Sequence, residues 1–187
     1  MEKNKLIICD LDGTLFDTRR VNYMAYREAI EKAGLPVNFD YDKYVKDCWG
    51  PSYRGFLPIM GVPENRFEEI HDAKKLYYKE NLKYATENIH LFNVIKAMRT
   101  EYHTAVVTSG SSNSKDILRY FNRMDLFEAI FTLDDVTNGK PDPEGFFKAM
   151  EYFKVKPENT IIFEDSEVGL TAARKTGASV CIVDDFR

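Results

Sequence analysis

No apolar run in this 187-residue chain approaches the roughly 20 residues that a membrane-spanning helix needs. The opening Met1-Glu2-Lys3-Asn4-Lys5 leads straight into a short apolar stretch and fits no secretory signal. Cysteine is scarce: Cys9, Cys48 and Cys181 are scattered, with no CxxC pair and no histidine at metal-ligand spacing. That leaves no disulfide framework and fits a reducing compartment. Cys9 and Cys181 lie inside apolar runs, where small buried hydrophobes are expected. Basic residues do not outnumber acidic ones, and a formal net charge of −4 argues against a general nucleic-acid binder. Internal repeats and low-complexity segments are missing too. The expectation is a cytoplasmic protein with neither nucleic-acid nor membrane partners, monomeric or weakly dimeric. What is present suffices to fold: 44% hydrophobic and 13% aromatic residues, in a length suited to one sizeable domain plus a small insertion.

The most informative stretch is Leu6-Ile7-Ile8-Cys9-Asp10-Leu11-Asp12-Gly13-Thr14. Its apolar run predicts a strand buried on both faces of a parallel sheet. The strand ends in two carboxylates one residue apart, and a desolvated carboxylate is costly unless paired or metal-bound. Either the turn is solvated, or it belongs to a ligand site at the carboxyl end of a strand.

Helical spacing over 21–33 closes at Gly34, with Pro36 just beyond. Short helices are expected over 41–48 and 53–60, on either side of a loop at Trp49-Gly50-Pro51-Ser52. A long charged helix over 64–84 would carry Phe67, Ile70, Leu76, Tyr77 and Tyr78 on its apolar side. No strand candidate occurs between about residues 18 and 86. Alternation then sets in, with helices over 92–99, 114–121 and 143–153, the last opened by Asp142 as N-cap and Pro143 at its first position. Strands are expected over 103–107, 129–132, 160–163 and 179–183, with a final helix running to Gly177. The expected fold class is α/β: a Rossmann-like, doubly wound parallel sheet core from residues 1–17 and 87–187. A small α-helical domain, residues 18–86, is inserted, with hinges near Thr18 and near Thr86-Glu87-Asn88.

Four turns stand out. Asp10/Asp12, Thr108, Lys140 and Glu164/Asp165 each lie just past a predicted parallel strand or in the loop after it, positions that converge on one sheet edge. Taken singly, Thr108 reads as an N-cap, Lys140 beside Pro141 as a solvated turn residue, and Glu164-Asp165 as complementing a helix dipole. Together they match phosphoryl transfer through an aspartyl phosphate. A carboxylate nucleophile approaching an anionic phosphate needs a hard divalent cation with oxygen ligands. A second carboxyl group protonates the leaving alkoxide and then activates water. A hydroxyl, backbone N–H groups and a lysine hold the phosphoryl oxygens.

These turns read Asp10-Leu11-Asp12-Gly13-Thr14, Val106-Val107-Thr108-Ser109, Gly139-Lys140-Pro141-Asp142-Pro143 and Phe163-Glu164-Asp165-Ser166-Glu167-Val168-Gly169. In these motifs and their order the chain resembles the haloacid dehalogenase-like hydrolase superfamily, in its phosphatase and β-phosphoglucomutase-like branch. The resemblance implies Asp10 as nucleophile and Asp12 as general acid/base. It implies Thr108 and Lys140 as phosphoryl-binding groups, with Gly13, Thr14, Ser109 and Gly110 completing that pocket. It further implies Mg²⁺ held by Asp10, the Asp12 carbonyl oxygen, Glu164 and Asp165, and an insertion acting as a substrate-selecting cap. Two departures stand against the family pattern. The chain stops at Arg187 soon after the fifth strand, which suggests a minimal core, and Asn22 stands where many relatives carry a histidine.

Within that family, Asp12 speaks against dehalogenation, because a halide leaving group needs no protonation. The absence of lysine from the loop over 49–54 speaks against a phosphonatase. A mutase of the β-phosphoglucomutase type is the rival, since such relatives grip a second phosphate with basic residues around the cap-loop glycine. Here Trp49, Gly50, Ser52, Tyr53 and Arg54 offer one basic group among aromatics, which suits a sugar face better. The alternative is that Trp49 and Tyr53 are core residues of the insertion and Arg54 a surface charge, and for Trp49 the two readings stand about even. The expected activity is a phosphatase acting on a small phosphorylated metabolite. A non-catalytic binding module would lack a nucleophile or a metal ligand, and neither is missing.

Overall fold

The computed structural model describes residues 3–50, 52–184 and 186, so the expectations touching Pro51 and Arg187 fall outside the described residues. Two compact units are present: Met1–Asp17 with Glu87–Arg187, and Thr18–Thr86. The chain begins with β1 (Lys5–Cys9) and a two-residue β2 (Phe16–Asp17). It then runs through α1 (Arg19–Lys32), α2 (Tyr41–Asp47), α3 (Tyr53–Phe56) and α4 (Phe67–Glu80). It returns through β3 (Thr86–Glu87), α5 (Ile89–Met98), β4 (Tyr102–Val107), α6 (Lys115–Tyr120) and β5 (Ala129–Phe131). Last come α7 (Glu144–Phe153), β6 (Thr160–Glu164), α8 (Glu167–Arg174) and β7 (Ser179–Ile182).

The first unit is a five-stranded sheet in the order β5-β4-β1-β6-β7, parallel throughout and flanked by helices. In β1, Leu6, Ile7, Ile8 and Cys9 are all fully buried, which is why the strand reads as an unbroken apolar run. Leu6 and Ile8 pack with Ala105, Val107, Ile162, and Phe146 and Met150 of α7. The helices α5 and α6 bury Phe92, Ile95, Ile117 and Leu118. Register positions the site. Cys9 lies opposite Val106 and Phe163, so the residues that follow β1, β4 and β6 emerge together at the carboxyl edge. Two further backbone bonds extend that order past the strands, from the Asp10 amide to the Phe163 carbonyl and from the Thr108 amide to the Phe131 carbonyl (2.9 and 3.0 Å).

The second unit has its own aromatic core, in which Tyr23, Tyr26 and Ile30 of α1 meet Tyr44, Phe56, Met60, Phe67 and Ile70. The helix expected over 53–60 stops at Phe56. Pro58 has no N–H to continue the ladder, and the backbone goes on as turns to Gly61. The expected long helix divides into a 3₁₀ turn (Glu64–Arg66), α4, and a second 3₁₀ turn (Leu82–Tyr84). Leu76, expected on the apolar side, is 73% exposed. The buried stripe runs through Phe67, Ile70 and Tyr78 with half-buried Tyr77, and Leu76 lies off that three-to-four-residue spacing. The stretch expected to lack strands ends in Thr86 of β3, which pairs with β2 in a ribbon too short for side-chain alternation to reveal. Cys181 is exposed rather than buried, because β7 is an edge strand and leaves both Cys181 and Ile182 open. Among the described residues no helix is long and apolar enough to cross a membrane.

Neighbouring positions on α4 should therefore respond differently. Ile70→Ala, at a fully buried site, is expected to cost ~2–5 kcal/mol in urea denaturation. Leu76→Ala should stay within about 0.5 kcal/mol of the parent. Equal costs would contradict the stripe described here.

Candidate active site

The centre of the site is an ammonium between two carboxylates. Lys140 Nζ donates to Asp10 Oδ1 at 2.5 Å and to Glu164 Oε1 at 2.6 Å, with all three side chains almost completely buried. The Asp165 carboxylate joins them. One oxygen from each of Asp10, Glu164 and Asp165 lies within 4.8 Å of the others. Burial raises the pKa of Asp10; Lys140 pulls it down, Glu164 and Asp165 push it further up, and the net shift is upward. Burial also works against the Lys140 ammonium, yet the charges of Asp10 and Glu164 and the bonds to both outweigh it and raise the lysine pKa. Three carboxylates thus face one ammonium. Hard oxygen donors with surplus negative charge form a set suited to a hard divalent cation.

Close approaches fix these carboxylates. Gly13 has φ +96°, and a Cβ there would lie 2.2 Å from Asp165 Oδ2. A Cβ on Gly169 would lie 1.6 Å from Glu164 Oε1, so the start of α8 has to be bare where Glu164 rests. Thr14 is fully buried, and its hydroxyl donates to Asp165 Oδ1 at 2.9 Å. Glu164 Oε2 accepts from the Ser166 amide at 2.8 Å, while Ser166 Oγ caps α8 by accepting from the Gly169 amide.

Asp12 is half-buried in the turn closed by the Gly13 amide on the Phe16 carbonyl (2.7 Å), and its side chain is not one of the three converging carboxylates. Buried Thr108 does not cap a helix. Its Oγ1 accepts from the Gly110 amide at 3.0 Å, and the next helical turn starts only at Ser112. Ser109 beside it is exposed. The Lys140 loop is tied down by residues that sequence reasoning passed over. Glu144 accepts from the Thr137 and Asn138 amides (2.9 and 2.8 Å), and Lys175 Nζ donates to the Pro141 carbonyl (2.8 Å). Asp142 was expected as the N-cap; α7 starts one residue later, at Glu144, and the Asp142 side chain accepts from the Glu144 amide.

The remaining expected residues belong to the second unit. Trp49 and Tyr53 pack, half-buried, against its aromatic core. Gly50 (φ +107°) and Ser52 are exposed. The Tyr53 ring stacks on His71 at 3.9 Å, and its hydroxyl donates to Glu68 at 2.9 Å. Arg54 pairs with the same Glu68. Neither Glu68 nor His71 was singled out in the sequence, since each looks like one more polar residue of a charged helix. Asn22 donates its side-chain amide to the Thr18 carbonyl and hydroxyl (3.1 and 3.2 Å).

The Asp165 carboxyl is pushed up from its ordinary 3.8 to about 6, by burial first and the Glu164 charge second, against the opposing bond from Thr14. An acid with a raised pKa keeps its proton longer in the folded chain than in the unfolded one. Metal-free stability should therefore fall as pH rises through that window. The melting temperature of the metal-free parent, compared with that of Asp165→Asn, is expected to drop between about pH 4 and pH 6.5. A constant difference between the two proteins across this range would refute the strained environment assigned to Asp165.

The family model for haloacid dehalogenase-like hydrolases matches residues 7–183. A phosphorylated carbohydrates phosphatase of Thermotoga maritima is 32% identical over 181 residues, covering 91% of this chain and 81% of the relative. The β-phosphoglucomutase of Bacillus subtilis is 26% identical over 181 residues, covering 92% and 80%. The crystal structure of CbbY from Rhodobacter sphaeroides in complex with phosphate superposes with a TM-score of 0.83 at 23% identity, covering 97% and 87%. With the family model spanning nearly the whole sequence, the chain belongs to the haloacid dehalogenase-like hydrolases.

Proposed function

We propose that this protein is a Mg²⁺-dependent phosphatase that hydrolyses a small phosphorylated metabolite, a sugar phosphate, through an aspartyl phosphate at Asp10. The observation that carries the reading is the Lys140 ammonium shared between Asp10 and Glu164, with Asp165 beside them. A buried cluster of like charges is a poor stabilising device. It suits a site that receives a cation and an anionic phosphoryl group.

Asp10, Glu164, Asp165 and the Asp12 carbonyl oxygen would hold Mg²⁺, which supplies the positive charge that lets one anion approach another. An Asp10 carboxylate oxygen attacks phosphorus, and the ester oxygen departs with a proton from Asp12. Water then attacks the acyl phosphate and gives its proton to Asp12, releasing inorganic phosphate and restoring the Asp10 carboxylate. Lys140 and the Thr108 hydroxyl serve the phosphoryl oxygens, within the turns formed by Gly13, Thr14, Ser109 and Gly110. Trp49, Gly50, Ser52, Tyr53 and Arg54 of the insertion serve the rest of the substrate. Phosphatase is preferred to mutase because the basic group of that loop, Arg54, already has its charge matched by Glu68. The similarity to a carbohydrate phosphatase and to a sugar-phosphate mutase supports a sugar phosphate as substrate.

Asp12→Asn separates the two half-reactions. It removes the proton donor and the water-activating base while leaving the nucleophile. With p-nitrophenyl phosphate, whose leaving group needs little acid help, a burst of p-nitrophenolate is expected, followed by turnover reduced about 10²–10⁴-fold. Intact-mass measurement should show a trapped phosphoryl group on Asp10. Turnover at the parent rate, or a loss of activity with no trapped species, would sink the assigned role of Asp12.

A further inference from the structure

Where the chain re-enters the first unit from the insertion, Asn88 is 3% exposed and uses three groups at once. Its Oδ1 accepts from the Leu91 amide at 3.0 Å, capping α5. Its backbone N–H donates to the Leu15 carbonyl at 2.9 Å, and its side-chain amide donates to the Thr14 carbonyl at 3.2 Å. Capping needs only the acceptor, and serine or aspartate would serve as well. The donor is the additional feature, and asparagine is a capping residue that carries both. It grips the backbone of a residue whose own hydroxyl donates to Asp165 Oδ1, in the turn where Gly13 lies against the same carboxylate.

We infer that Asn88 is a positioning residue for the metal site, setting the Asp165 carboxylate through Thr14. This rests on the reading of Asp165 as a metal ligand. The physical basis is geometric. A ligand oxygen held by a buried hydroxyl is only as well placed as the backbone bearing that hydroxyl, and Asn88 fixes this backbone from the cap of α5. Outer groups that orient ligands typically change metal affinity by about 10–100-fold when removed.

The test uses the full chain and Mn²⁺ alone, a paramagnetic oxygen-ligated stand-in for Mg²⁺, with free ion followed by its EPR signal. Asn88→Ser and Asn88→Thr keep a competent, uncharged cap for α5 but lose the reaching donor. Thr14→Val removes the middle link and leaves the cap untouched. Each is expected to raise the Kd for Mn²⁺ about tenfold, with the melting temperature of the Asn88 variants close to the parent's. Parent-like Kd in the folded variants, while Asp165→Asn abolishes binding, overturns the relay and leaves the metal site intact. Binding that survives Asp165→Asn removes the metal site and the relay with it. A rise in Kd confined to Asn88 variants that also lose melting temperature, with Thr14→Val unchanged, reduces Asn88 to a helix cap and equally overturns the inference.

Discussion

The Lys140 ammonium, held between Asp10 and Glu164, is the contact on which the rest of the first unit depends. Taking a carboxylate or an ammonium out of water costs several kcal/mol even after relaxation. One lysine cannot neutralise three carboxylates, so the cluster persists only because surrounding structure enforces it. The parallel register delivers the ends of β1, β4 and β6 to one edge. Glycines at 13 and 169 clear space for Asp165 and Glu164. Glu144 and Lys175 brace the loop that carries Lys140 across the sequence to its partners. A core selected for stability alone would fill this volume with apolar side chains, which are often neutral or stabilising in place of a buried ion pair.

Much of the architecture was readable in the sequence because parallel strands buried on both faces are written as short apolar runs. The runs at Ile7, Val106 and Ile162 were visible without any tertiary knowledge, and so was the contrast with a helical stretch that contains none. Elements that depend on partners were not visible. A two-residue ribbon at Phe16 and Thr86 has no periodicity to detect, and the exposure of Cys181 follows from its strand lying at a sheet edge. Leu76 is the instructive case: an apolar residue in an amphipathic helix is exposed because its angular position lies off the buried stripe.

The site divides in the same way. Asp10, Lys140, Glu164 and Asp165 could be grouped from sequence because each follows a predicted strand, and the fold brings them together across 130 residues of separation. Contacts that set their positions were hidden. Asn88 looks like a hinge residue, Thr14 like the end of a turn and Gly169 like a helix residue, until the distances to Asp165 and Glu164 are known. In the insertion, Tyr53 and Arg54 carried a functional reading, yet both are engaged with Glu68 and the Tyr53 ring also rests on His71. Any role in selecting substrate is therefore exercised by a loop already braced against α4.

In the proposed reaction the Asp10 carboxylate is itself the group that attacks phosphorus. Steady-state hydrolysis of a sugar phosphate by Asp10→Asn in saturating Mg²⁺, with folding checked by circular dichroism, tests it most directly. An amide at this position cannot attack, and it relieves rather than adds charge repulsion. The expected result is a chain as stable as the parent with no turnover above background. Near-parental turnover by a folded Asp10→Asn protein would contradict the account.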